Sequence, residues 1–192
     1  MDHRSTLSAP ARRTGTIVLV GLAILRATVA TFVVWPLLAA SEADGVVPDG
    51  MAVSVSDVEL PAVGKLDPDL LDALGRAATD AEADGVGLLV NSGWRSPAYQ
   101  RQLWREAVVE HGSQEAAARW VAAPETSAHV SGDAVDIGPS GATAWLAEHG
   151  AAYGLCRIYR NEPWHYELRP AAVEDGCPPM YADTTEDPRM RP

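Results

Sequence analysis

The sequence predicts an α+β fold, an antiparallel sheet with flanking helices. Two observations carry this: apolar residues recur at helical spacing in the first half of the chain, and short β-rich apolar runs gather in the second half. MAVSVSDVEL (51–60) has the alternation of a short strand. Asp67 and Pro68 are an N-cap and a first helical residue, and Leu70, Leu71, Leu74 and Ala78 carry a helix to about Glu82, stopped by Gly85. VGLLVNSG (86–93) is a short apolar run of the kind that forms a buried strand. Ser96-Pro97 opens a helix that runs to about Glu110, with His111-Gly112 at its end, and Ser113 opens another, SQEAAARWVA. AVDIG (134–138) is strand-like, and Ser140 starts a helix ending at His149-Gly150. GLCRIYR (154–160) and HYELRP (165–170) form two strands around the turn Asn161-Glu162-Pro163. From residue 171 the chain is polar and proline-rich, a tail that should run along the surface.

The 192 residues suffice for one domain and a targeting segment. The formal net charge is −11, unevenly spread: residues 1–40 hold four arginines against one aspartate, and the remainder is strongly acidic. Such a domain is a poor candidate for binding nucleic acid or anionic lipid. Residues 17–40 form the only long apolar run, with Arg4, Arg12 and Arg13 before it and Glu42 and Asp44 after. The positive flank should stay inside, so the rest is exported. Arg26 interrupts the run, at a cost of about 2.5–3.5 kcal/mol in mid-membrane. Residues 27–40 have the length of a signal-peptide core, and Ser41-Glu42-Ala43 would serve as a cleavage site. Residues 1–43 are therefore a signal peptide or an N-terminal membrane anchor, and both remain open. Residues 44–50 are a linker, 51–170 the globular domain and 171–192 the tail. Cys156 and Cys177 both lie in the exported part and predict one disulfide, which would tie the tail to the strand carrying Cys156.

Five histidines mark where chemistry could reside. His3 precedes the apolar run. His111 and His149 sit before glycines at helix ends, where the helix dipole accounts for them. His129 and His165 are different: one follows Ser127 in a loop, within SAHVSGDAVDIG (127–138) and seven residues before Asp136, the other lies in EPWHYE (162–167). Two histidines and one carboxylate are a common ligand set for catalytic zinc, leaving a fourth position for water. Glu162, three residues before His165, could serve as a base that is not itself a ligand; Pro163 argues against a helix, so a turn must aim it. Gly132 and Gly138 would let the backbone bend tightly around His129 and Asp136. By spacing alone, a hydrogen-bonded His–Asp pair is an equal explanation.

Three stretches resemble one family. Ser127-Ala128-His129-Val130-Ser131-Gly132-Asp133-Ala134-Val135-Asp136 and Glu162-Pro163-Trp164-His165 are similar to the SxHxxGxAxD and ExxH motifs of the VanY-type zinc D-alanyl-D-alanine carboxypeptidases. Ser92-Gly93-Trp94-Arg95-Ser96, followed by Gln100, resembles their SGxRS segment, in the family's order. The resemblance covers roughly residues 50–170 and implies a hedgehog/DD-peptidase fold.

It further implies that His129, Asp136 and His165 bind Zn²⁺, that Glu162 is the general base and acid, and that Arg95 stabilises the oxyanion. Ser127 and Gln100 would hold the substrate's terminal carboxylate. The implied enzyme is exported and removes the C-terminal D-alanine from peptidoglycan stem peptides ending in D-Ala-D-Ala. It would be extracytoplasmic, membrane-associated only through its N-terminal segment, and monomeric. The alternatives are an L,D-carboxypeptidase on tetrapeptide stems, a D,D-dipeptidase, and a non-catalytic zinc-stabilised binding module. A binder has no need of Glu162 and Arg95. Trp94 and Trp164 serve packing or line a pocket. Asp133 and Glu167 could support a ligand histidine from behind.

Overall fold

The structure is a computed structural model that describes residues 39–190, apart from positions 49 and 52. Four short strands, β1 (Leu89–Ser92), β2 (Ala134–Gly138), β3 (Leu155–Arg157) and β4 (His165–Leu168), form one antiparallel sheet in the order β1-β2-β4-β3. Among the described residues seven α-helices accompany it: α1 (Pro61–Gly64), α2 (Pro68–Ala83), α3 (Pro97–His111), α4 (Gln114–Ala117), α5 (Ala128–Ser131), α6 (Ser140–His149) and α7 (Ala172–Asp175). The expected signal peptide or anchor falls almost wholly outside the described residues. Among those described, no helix is long and apolar enough to cross a membrane.

The period-2 pattern of the strands sorts the sheet into two faces. Val90, Val135, Ile137, Leu155 and Tyr166 enter the main core, where α2 and α6 pack against the sheet. α2 presents Leu70, Ala73, Leu74, Ala77 and Ala81 at the spacing of one helical stripe, and Asp67 caps it by accepting from the backbone N–H of Asp69 and Leu70. The alternate residues of β2 and β4, Asp136, His165 and Glu167, lie on the other face and are also buried. There the site is built.

Several local expectations are corrected. The described residues of MAVSVSDVEL form no strand; they make one isolated bridge, Ser54 to Leu89, then turn, although Val53 and Val55 are buried. The helix from Ser113 ends after one turn, at Ala117. The carbonyls that would continue it are taken by other segments: Ala118 O accepts from Thr184 Oγ1 and Arg119 O from Asn161 Nδ2. The 44–50 linker begins as part of the fold. Asp44 accepts from the Ser96 backbone N–H (2.8 Å) and hydroxyl (2.9 Å). Gly45 follows with φ +89°, and a Cβ there would lie 2.0 Å from Trp94 O.

The tail is also more than a surface run. The Cys156–Cys177 disulfide is present, with Cα atoms 5.5 Å apart. Beyond it Tyr181 bridges Tyr159, and two single 3₁₀ turns, Thr184–Glu186 and Pro188–Met190, follow, with Thr184 and Asp187 buried.

Candidate metal centre

Asp136 of β2 and His165 of β4 are register partners, which sets two of the expected ligands side by side. His129 arrives from α5, a one-turn helix where the sequence suggested a loop. Gly132 ends α5 with φ +86°, and a Cβ there would stand 2.6 Å from Lys65 O. Its carbonyl accepts from the Asp67 N–H at 2.9 Å, so the turn carrying His129 is pinned to the start of α2.

The outer nitrogen of each imidazole has a fixed partner. His129 Nδ1 lies 2.8 Å from Gly93 O, a carbonyl that can only accept, so Nδ1 carries the proton and Nε2 faces inward. His165 Nε2 lies 3.2 Å from Glu167 Oε1, which turns Nδ1 inward. The two inner nitrogens are 3.3 Å apart; Asp136 Oδ1 is 3.4 Å from the first and 3.3 Å from the second. Bonds of about 2.0–2.1 Å to a tetrahedral zinc give ligand-to-ligand edges of about 3.3–3.4 Å. The triangle therefore fits a divalent metal, and all three residues are buried. Among the described residues, Asp136 Oδ1 has no hydrogen-bond donor. Burial opposes charge on His165, but Asp136 and Glu167 outweigh it and raise its proton affinity to about 9. The centre of the cluster calls for a cation.

Arg95 borders the cluster with its guanidinium fixed on three sides. Nη2 donates to Asp136 Oδ2 (2.8 Å), Nε to Ser92 Oγ (2.8 Å) and Nη1 to Gln100 Oε1 (3.2 Å). Three of its five N–H groups are used and one remains on each terminal nitrogen. Glu162 sits in the turn before β4, with Oε2 3.7 Å from His165 Nδ1 and Oε1 buried without a partner among the described residues. Burial raises its carboxyl to about 7, against the opposing pull of His165.

Gln100 and Ser127 are placed less directly. Gln100 is 1% exposed, and its Nε2 donates to Ala122 O (2.8 Å) while Oε1 serves Arg95; neither it nor Ser127 lines the adjacent cleft. Ser127 is buried at the N-cap of α5, without a side-chain capping bond. Trp94 lies outside the cleft under the Lys65 ammonium, 3.8 Å from its ring centroid, whereas Trp164 lines the cleft. Asp133 is exposed and accepts from Ser131.

The cleft has a volume of about 600 Å³. Arg95, His129, Asp136, Glu162 and His165 line one part, Glu106, Glu110, His111 and Trp120 another, and Thr184 and Met190 of the tail contribute as well. His111 stacks on Trp120, with ring centroids 5.9 Å apart. Sequence reasoning left His111 as a helix-end residue and did not reach Trp120, Thr184 or Met190. No motif spacing marks them, because distant segments bring them together. Glu167 had a signal in its i+2 position from His165 on one strand, which puts both on one face.

The family model described as VanY, D-alanyl-D-alanine carboxypeptidase, matches residues 64–171. A D-alanyl-D-alanine carboxypeptidase of Enterococcus faecalis (strain ATCC 700802 / V583) is 37% identical over 123 residues, 51% of this chain and 43% of that protein. The chain thus spans less than half the length of that relative. A crystal structure of a mutant vancomycin-resistance D,D-pentapeptidase VanY in complex with Zn(II) is 32% identical, with a TM-score of 0.53, covering 57% of this chain and 76% of the other. VanYB in complex with D-alanine-D-alanine is 28% identical, with a TM-score of 0.54, covering 68% and 83%.

Proposed function

The chain belongs to the VanY family of D-alanyl-D-alanine carboxypeptidases, and from that premise we propose that it is a zinc peptidase removing the C-terminal D-alanine from peptidoglycan stem peptides that end in D-Ala-D-Ala. One observation carries the reading: three buried electron-pair donors converge at zinc spacing beside a fixed arginine and a buried glutamate whose Oε1 has no partner among the described residues.

His129, Asp136 and His165 would hold the metal, which when bound lowers the pKa of a coordinated water to about 7 and polarises a carbonyl. Glu162 takes a proton from the attacking water and returns it to the amine of the departing D-alanine. Its carboxyl, raised toward 7 by burial, suits both directions of transfer. The two remaining Arg95 N–H groups meet the oxygen on which charge develops. At the head of α5 the Ser127 carbonyl accepts from the Val130 N–H and helps hold the turn that carries His129.

The same reading places the protein outside the cytoplasmic membrane, secreted or held by residues 1–43, and acting as a monomer. The substrate, the arginine-flanked apolar run and the Cys156–Cys177 disulfide support export.

The test uses the full-length protein with a stem pentapeptide ending in D-Ala-D-Ala and a tetrapeptide ending in one D-Ala, each with and without a chelator. Chelator-sensitive release of one D-alanine from the pentapeptide alone is expected. Release from the tetrapeptide alone would move the assignment to the L,D class. Glu162→Gln should keep one zinc per chain while losing about 10²–10⁴-fold in turnover. A wild-type protein that binds zinc and cleaves neither peptide would be a binding module.

A further inference from the structure

Behind His165 lies a chain of contacts that the proposed chemistry does not use. Glu167, 1% exposed, faces His165 Nε2 through Oε1. Arg189 grips both oxygens of that carboxylate, with Nη1 2.6 Å from Oε2 and Nη2 3.2 Å from Oε1. Arg189 also donates to Asp187 through Nη2 (2.5 Å) and Nε (3.0 Å). Asp187 is fully buried and accepts the Tyr159 hydroxyl at 2.9 Å. Arg169 reaches Glu167 too, but only at Oε2, 2.6 Å away.

The difference between the two arginines decides their roles. A carboxylate held at Oε2 alone can swing Oε1 away from the imidazole. A guanidinium spanning both oxygens fixes the plane of the carboxylate as well as its charge. Glu167 then holds His165 with its Nε2–H outward and Nδ1 toward the metal position, the kind of support that commonly matters 10- to 100-fold in metal affinity. Arg189 comes from 22 residues further along the chain, in the final 3₁₀ turn.

We propose that Arg189 is a positioning residue for the metal centre: the tail, through Arg189, locks Glu167 and thereby orients His165. This rests on the assignment of His129, Asp136 and His165 as metal ligands.

Zinc affinity of the full-length protein, measured by competition with a chromophoric chelator, tests it for wild type, Arg189→Ala, Arg189→Lys and Arg169→Ala. The Co²⁺ absorption spectrum and thermal unfolding of each variant are recorded alongside. Arg189→Ala should weaken zinc binding about 10- to 100-fold and shift the Co²⁺ bands. Arg189→Lys restores the charge without the fork and should recover only part of the affinity; Arg169→Ala should lose less than Arg189→Ala. Affinity within twofold of wild type in Arg189→Ala overturns the proposal. Equal losses in the two alanine variants also overturn it, by reducing the effect to charge neutralisation. Should Arg189→Ala fail to fold, Arg189→Lys decides by the same twofold criterion. A wild type that binds no zinc would remove the metal assignment and this inference together, whereas tight wild-type binding with an unaffected Arg189→Ala removes this inference alone.

Discussion

In the proposed site, Arg95 would serve both a metal ligand and the substrate. Its bond to Asp136 Oδ2 leaves Oδ1 as the oxygen that faces the two imidazoles, so the guanidinium selects which carboxylate oxygen is free to bind metal. Its bonds to Ser92 and Gln100 hold the remaining N–H groups in place. Lysine keeps the charge at this position but not the fork. Arg95→Lys should therefore retain zinc while turnover falls about 10²–10³-fold, the usual cost of an oxyanion donor. Gln100 provides a sharper contrast. The family resemblance gives it to the substrate's carboxylate, yet both ends of its amide already have protein partners and it lies outside the cleft. A residue that acts through Arg95 should lower kcat when lost. One that binds the carboxylate directly should chiefly raise KM. Steady-state kinetics of Gln100→Leu should show the first pattern, with a loss of roughly 10- to 100-fold, the worth of one hydrogen bond to a charged group.

Strands and turns, not single residues, bring the proposed ligands together. AVDIG and HYELRP were legible as strands because their residues alternate between core and site, and that alternation puts Asp136 and His165 on one face. Their register as partners was not legible, since it depends on how the long connection between them folds. The amphipathic stripe and Asp67-Pro68 start of α2 were equally clear, and its observed bounds differ from the expected ones by a residue. MAVSVSDVEL misled because burial of Val53 and Val55 gives the same alternation, while its pairing with β1 stops at the single bridge from Ser54 to Leu89. The histidine loop was read as irregular because a one-turn helix such as α5 is too short to show a period. Gly132 carries that turn. Its left-handed φ costs an L side chain about 1–2 kcal/mol, and a Cβ would press on Lys65 O. Gly132→Ala should lose at least about that much stability in urea denaturation. Zinc affinity should fall with it, because His129 rides on the displaced turn.

At the scale of the whole molecule, the described chain after Asp175 closes the structure from the far side of the sheet. Composition concealed this: an acidic, proline-rich stretch looks like a solvated tail, and only the folded sheet reveals that Glu167 and Tyr159 await Arg189 and Asp187. Among the attachments that hold the segment are the disulfide to β3, the backbone bonds between Tyr181 and the residues flanking Tyr159, and the Arg189–Glu167–Asp187 cluster. They are separable by mutation. Cys177→Ser removes the first and leaves the other two intact. The disulfide closes a loop with a sequence separation of 21, and losing such a crosslink should cost about 3 kcal/mol of stability, chiefly by freeing the unfolded chain. That loss is global and should appear as a lower denaturant midpoint in metal-free protein. The Arg189 fork does not depend on the sulfur bridge for its geometry, so zinc affinity in the folded variant should fall less than in Arg189→Ala. Paired denaturation and zinc titration of the two variants would separate a crosslink that stabilises the fold from a side chain that orients a ligand.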